Sequence, residues 1–169
     1  MSRMRKLFAI GLMLLFSWKG GAQDLMTLKD VFRQMPDSIV PYLSENNRLD
    51  FIDFMESGMK AEVKNRLGGT SEMTALTDDS LSIRMSDALR MDILLLKPVG
   101  MTDSCRQVIC VVNTFGTDSL SQESQKVFYT PSWSRISQMP SFSAVDSQRI
   151  KRLEVQTILK RDDEILKKN

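Results

Sequence analysis

Five strand-like runs between Ser71 and Thr130, separated by short polar connectors, limit this chain's fold more than any other feature. In "SLSIRMS", Leu81, Ile83 and Met85 alternate with Ser80, Ser82, Arg84 and Ser86, the period of two expected of a strand with one wet face. "ALRMDILLLKPVG" and "CRQVICVVNTF" are longer and apolar on both faces, which places them centrally in a sheet. "SEMTAL" before them and "QKVFYT" after them read as flanking strands. The connectors "TDDS", "SDA", "PVGMTDS" and "GTDSLSQES" are turn-forming and too short for helical crossovers, so the strands should form an antiparallel meander.

The stretch before the strands has a helical period. Thr27 followed by Asp30 resembles a capping box, and Leu28, Val31, Phe32 and Met35 recur at helical spacing until Pro36 stops them. Asn47 is the expected cap of a second helix carrying Ile52, Met55, Met59, Val63 and Leu67, which Gly68 and Gly69 end and Gly58 loosens. Between the two lies "RQMPDSIVPYLSENN", residues 33 to 47. Pro36 blocks the first helix, Asp37 starts the next turn, and Pro41 sits where a missing N–H costs least. A helix junction is the expected role of this stretch, with Asp37 and Tyr42 as candidate binding residues. Ile150, Leu153, Ile158 and Ile165 recur at helical spacing in the C-terminal segment. The expected fold is therefore α+β, with N-terminal helices packed on an antiparallel meander of four to five strands and a C-terminal helix.

Residues 1–22 form a basic head (Arg3, Arg5, Lys6), an apolar run of 12 residues from Leu7 to Trp18 and small residues before a cut at Gln23, the layout of a cleavable secretory signal. As a helix that run rises about 18 Å, short of the roughly 30 Å of a bilayer core, which argues against an anchor. No cysteine stands at the cut for lipid attachment. Cleavage removes four of the 23 basic residues and none of the 21 acidic ones, leaving 19 against 21 and a net charge of −2. A nucleic-acid partner, which needs a surplus of positive charge gathered on one face, loses its support. The remaining 23–169 suits one domain: a helical part over 23–69, a strand-rich part over 70–135 and a C-terminal segment over 136–169. The expected location is the periplasm or cell envelope, with no transmembrane segment in the mature chain.

The chain has no histidine, so Ser-His-Asp and Cys-His pairs and imidazole metal sites are excluded. Cys105 and Cys110 fall about 16 Å apart on opposite faces of a strand, too far to bond. Cys110 reads as a buried apolar filler, and there is no CxxC for zinc or redox chemistry. Asp50, Asp53 and Glu56 line one side of the second helix, with Lys60 four residues on. A solvated face is the expected reading, and a carboxylate pair for acid/base work the sharper one. Asp78 and Asp79 read as a hairpin turn. Phe128, Tyr129 and Trp133 in "VFYTPSW" cluster beside a proline, as core or as aromatics displayed to a peptide or sugar. No catalytic residue, metal ligand or cofactor is assigned.

The order of the signal, "VFRQMPDSIVPYL", "NRLDFIDFMESGM", "LGG", the "ILLL" and "QVICVVNTF" strands and "VFYTPSW" resembles an uncharacterised domain-of-unknown-function family of small exported proteins from Gram-negative gut bacteria. The resemblance implies a secreted α+β domain and supplies no catalytic residues. "DSI" at Asp37 and "DSL" at Asp79 and Asp118 resemble the Asp-Ser/Thr-aliphatic triplet on which some exported proteins of such bacteria receive O-linked glycans, making Ser38, Ser80 and Ser119 candidate acceptors. Asp and Ser are equally good turn and cap residues. The expected function is a non-catalytic envelope protein binding a protein or glycan partner, and the alternative a hydrolase using Asp50 and Asp53, whose carboxylates would need to stand about 5 to 9 Å apart.

Overall fold

A computed structural model describes residues 25–100, 107–117 and 122–154. The alternating runs pair as a meander: β1 (Glu62–Lys64), β2 (Thr70–Leu76), β3 (Ser80–Ser86), β4 (Leu89–Leu96), β5 (Val108–Phe115) and β6 (Glu123–Tyr129), each antiparallel to the next in chain order. Three helical segments flank the sheet: α1 (Leu28–Arg33), α2 (Glu45–Glu56) and α3, described over residues 144–154. Six strands replace the four to five expected, because β1 falls inside the stretch that reads as the second helix. Gly58 does more than loosen that helix. With φ +67° it takes the left-handed conformation that closes a helix end, and the chain leaves α2 after Glu56.

The start of α2 is also shifted from expectation. Ser44, rather than Asn47, is the N-cap. Its hydroxyl accepts from Asn47 N–H at 3.1 Å and the Asn47 amide oxygen accepts from Ser44 N–H at 3.1 Å, a reciprocal capping box. The junction between the helices is two successive turns, closed by Ile39 N–H to Pro36 O at 2.9 Å and Leu43 N–H to Val40 O at 3.1 Å. Each proline thus stands in or beside a turn, where it interrupts helix.

The sheet has cores on both faces. On the first, Leu28, Val31 and Phe32 of α1, Phe51 and Ile52 of α2, and Val40 and Leu43 of the junction bury Ile83, Met85, Ile93 and Ile109. On the second, Leu94, Cys110, Val112 and Phe128 are covered by Ile150 and Leu153 of α3 and by Phe142. Each fully buried side chain of this size contributes about 1.5–3 kcal/mol. Two-sided coverage explains why β4 and β5 are apolar throughout, and why the neighbours Phe128 and Tyr129 both find apolar surroundings on opposite faces. Asn65 organises the β1–β2 turn: its amide donates to Ser71 Oγ at 3.0 Å and Met85 O at 3.2 Å, and its oxygen accepts from Leu67 and Gly69 N–H at 3.0 and 3.1 Å. Among the described residues no helix is long and apolar enough to cross a membrane.

Candidate functional site: a polar crevice on the sheet

Register divides the second face of the sheet in two. Ser80, Leu94, Cys110 and Phe128 share one cross-strand row, and α3 covers it. The next row runs Ser82, Asp92, Val112, Lys126, and the one after it Glu72, Arg84, Arg90, Thr114, Ser124. Here, Val112 apart, the apolar alternation gives way to charged and hydroxyl side chains, and the described part of α3 borders them through Leu153. Two adjoining hollows result, about 380 and 220 Å3, which share Asp92 and Leu153 in their lining. Together they make a crevice between α3 and strands β2 to β5.

The crevice is fixed from its floor. Asp92, its side chain only 4% exposed, accepts on Oδ1 from Arg90 Nη2 at 2.8 Å and Nε at 3.2 Å, and from the Ser82 hydroxyl. A carboxylate this buried is retained only with such partners. Arg90 is itself 38% exposed and so presents its remaining N–H groups to the crevice. Arg84 is its direct cross-strand neighbour and pairs through Nη2 with Glu72 of β2. Like charges directly opposite on a sheet destabilise it, and here Arg84 is balanced by Glu72, its opposite partner on β2, and Arg90 by Asp92, two residues along β4. At the far end Arg149 bridges Asp79 at 2.8 Å and Asp146 at 3.4 Å, while Arg152 has no ion pair among the described residues.

The residues singled out in the sequence lie elsewhere. Asp37 ties the helix junction down: Oδ1 accepts from Arg48 Nη1 at 2.9 Å and Oδ2 from Arg66 Nη1 at 2.7 Å. The Arg48 hydrogen bond, helped by both positive charges, holds its carboxyl below the usual carboxylate range. Tyr42 lines a separate apolar hollow of about 380 Å3 with Ile39, Met91 and the exposed Phe115; Asn113, also in its wall, has a buried amide oxygen without a partner among the described residues. Trp133 is buried, and its indole N–H donates 3.0 Å to the carbonyl of Val31, which the early end of α1 leaves without a helical partner. Tyr129 packs against Trp133 with ring centres 5.6 Å apart and Phe128 against Phe142 at 5.5 Å, both pairs tilted, so these three aromatics occupy two cores rather than one displayed platform.

Asp50 and Asp53 are exposed on α2 and line neither crevice hollow; Glu56 pairs with Lys29 at 2.7 Å. Cys110 is buried under α3, which pushes its thiol up to about 12. Cys105 lies outside the described residues. Ser38 is exposed, Ser80 is half-buried with its hydroxyl 2.7 Å from that of Thr77, and Ser119 lies outside the described residues. No group of acidic or cysteine side chains among the described residues is arranged to hold a metal ion. The polar rows escaped sequence reading because Arg84 comes from β3 and Arg90 and Asp92 from β4, and only the pairing of the two strands brings them together; the one local signal is Asp92 within the apolar run "MDILLL".

No curated protein matches the chain. Among solved structures, a domain of an uncharacterized protein from Porphyromonas gingivalis W83 is similar, with 25% identity and a TM-score of 0.51. The match covers 65% of this chain and 53% of that one, so the chain spans about half the length of that relative. The model of a family described as a protein of unknown function, DUF3256, matches residues 20–162, and the chain belongs to that family.

Proposed function

We propose that this is an exported, non-catalytic binding protein of the cell envelope, and that the polar crevice on the second sheet face takes a glycan. The secretory layout of residues 1–22 supports the location. The observation that carries the binding reading is that the crevice's buried carboxylate is already committed. Asp92 is paired with Arg90 and held by Ser82, which suits a rigid recognition surface. Thr74, Ser86, Thr114 and Gln122 in the same lining supply hydroxyl and amide partners for sugar hydroxyls. The hydrolase alternative rests on Asp50 and Asp53, exposed on α2 and away from the crevice.

A protein partner is a second reading, favoured by the apolar hollow at Tyr42 and Phe115 with its unsatisfied Asn113 oxygen. Incubating the mature chain with envelope polysaccharide fractions, then measuring retention and product sizes, tests the main reading. Retention of intact glycan is the expected result. Release of shortened products would make the protein a hydrolase, and absence of retention would move the search to the apolar hollow.

A further inference from the structure

Resting on the glycan reading, we infer that the crevice selects acidic oligosaccharides, with a carboxylate or sulfate of the sugar seated across Arg84 and Arg90. The inventory of unspent hydrogen-bonding groups points there. Arg84, Arg90, Arg149 and Arg152 line the two hollows against Asp87 and Asp92, four guanidinium groups to two carboxylates. With Glu72, Asp79 and Asp146 beside the lining, five carboxylates stand against the four guanidinium groups, so the case for an anion rests on free N–H donors and their geometry and not on net charge.

Several of the arginine donors nevertheless remain unspent. A guanidinium carries five N–H groups. Among the described residues Arg84 spends only Nη2, on Glu72, and it is 55% exposed. Arg90 spends Nε and Nη2 on Asp92 and Ser82, leaving Nη1 with no acceptor among the described residues. Arg152 spends none on the described residues. These free N–H groups favour a ligand that brings acceptors, and planar or tetrahedral oxyanions are the acceptors guanidinium forks fit best.

Arg84 and Arg90 are opposite partners on adjacent strands, so their side chains start about 5 Å apart and can close on one oxyanion. The serine and threonine hydroxyls around them suit the remaining hydroxyls of a sugar better than the apolar side chains of a peptide. Leu89 and Leu153 in the lining of the larger hollow offer apolar surface to a sugar ring's C–H face.

The test is isothermal titration of the mature chain with uronate and sulfated tetrasaccharides, their carboxyl-reduced or desulfated counterparts, and poly-glutamate, repeated with Arg84→Gln and with the surface control Asp50→Asn. The acidic sugars should bind at least about tenfold tighter than their neutral counterparts, and Arg84→Gln should lose about tenfold, the effect of one charge-assisted hydrogen bond. Asp50→Asn should change nothing. Circular dichroism of Arg84→Gln keeps a folding defect separate. Equal binding of neutral and acidic sugars would overturn the selectivity while leaving the glycan reading standing. Binding of poly-glutamate as tight as the acidic sugars, or no binding of any sugar, would overturn both.

Discussion

Replacing Trp133 with Phe tests how the helical layer is fixed to the end of the sheet. The indole N–H is the donor that satisfies the buried carbonyl of Val31, at 3.0 Å. Phe has no such donor, so that carbonyl is left unpaired inside the core at a cost of about 1–3 kcal/mol. The void left by the smaller ring adds about 1 kcal/mol for each methyl-sized gap. Trp133 sits at φ +62°, strained for any L residue, but Phe bears the same strain, so the backbone contribution cancels. The expected loss is about 2–4 kcal/mol, or about 4–16 °C in Tm at roughly 2–4 °C per kcal/mol for a domain of this size. Thermal unfolding followed by circular dichroism, with urea titrations to check an unchanged m-value, measures it. Ser132→Ala, at an exposed neighbour in the same turn, should shift Tm hardly at all. A Trp133→Phe shift below about 2 °C would refute the argument that this hydrogen bond anchors α1.

Asp37→Asn should lower Tm at neutral pH and abolish part of the acid sensitivity. Because folding holds this carboxyl below its ordinary value, its stabilisation is complete above the unfolded pKa of 3.8 and disappears as pH falls through the lower folded value. Stability curves of wild type and variant should converge below that window, and parallel curves would contradict the clamp. Gly58→Ala should cost about 1 kcal/mol from its left-handed backbone alone, since an added Cβ meets no atom within 4 Å, and Gly58→Asn should cost less. Urea midpoints decide between them, and equal losses would sink the conformational account. In a Cys105→Ser background, Cys110 should ignore a thiol reagent at pH 8 until the protein is denatured, because its thiol stays protonated up to about 12; rapid native labelling would place it outside the core.

The meander was legible because alternation and turn chemistry are local. Leu81, Ile83 and Met85 mark a half-wet strand without knowledge of any partner, and the two-sided apolar runs became central strands covered on both faces. The end of α2 was hidden for the opposite reason. Met59, Val63 and Leu67 happen to continue the spacing of Ile52 and Met55, so the period ran through Gly58, although Met59 and Leu67 are exposed and Val63 belongs to β1. The Ser44 cap was missed because Asn47 has the same capping chemistry three residues later, and in the fold both are used.

The crevice was the least legible part. Arg84, Arg90 and Asp92 sit in two different runs, and only the β3–β4 register brings Arg84 opposite Arg90 and Ser82 opposite Asp92. The aromatics of "VFYTPSW", conspicuous in sequence, serve the two cores. Asp37, equally conspicuous between two prolines, is held by two arginines that lie 11 and 29 residues away.

An amide chemical-shift map of the mature chain, titrated with an acidic tetrasaccharide, bears most directly on the proposed site. The account predicts saturable shifts confined to residues around Thr74, Arg84, Arg90 and Thr114 and to the face of α3 near Leu153, with the sugar recovered intact. Shifts centred on Asp50 and Asp53, on Tyr42 and Phe115, or a cleaved sugar, would contradict it.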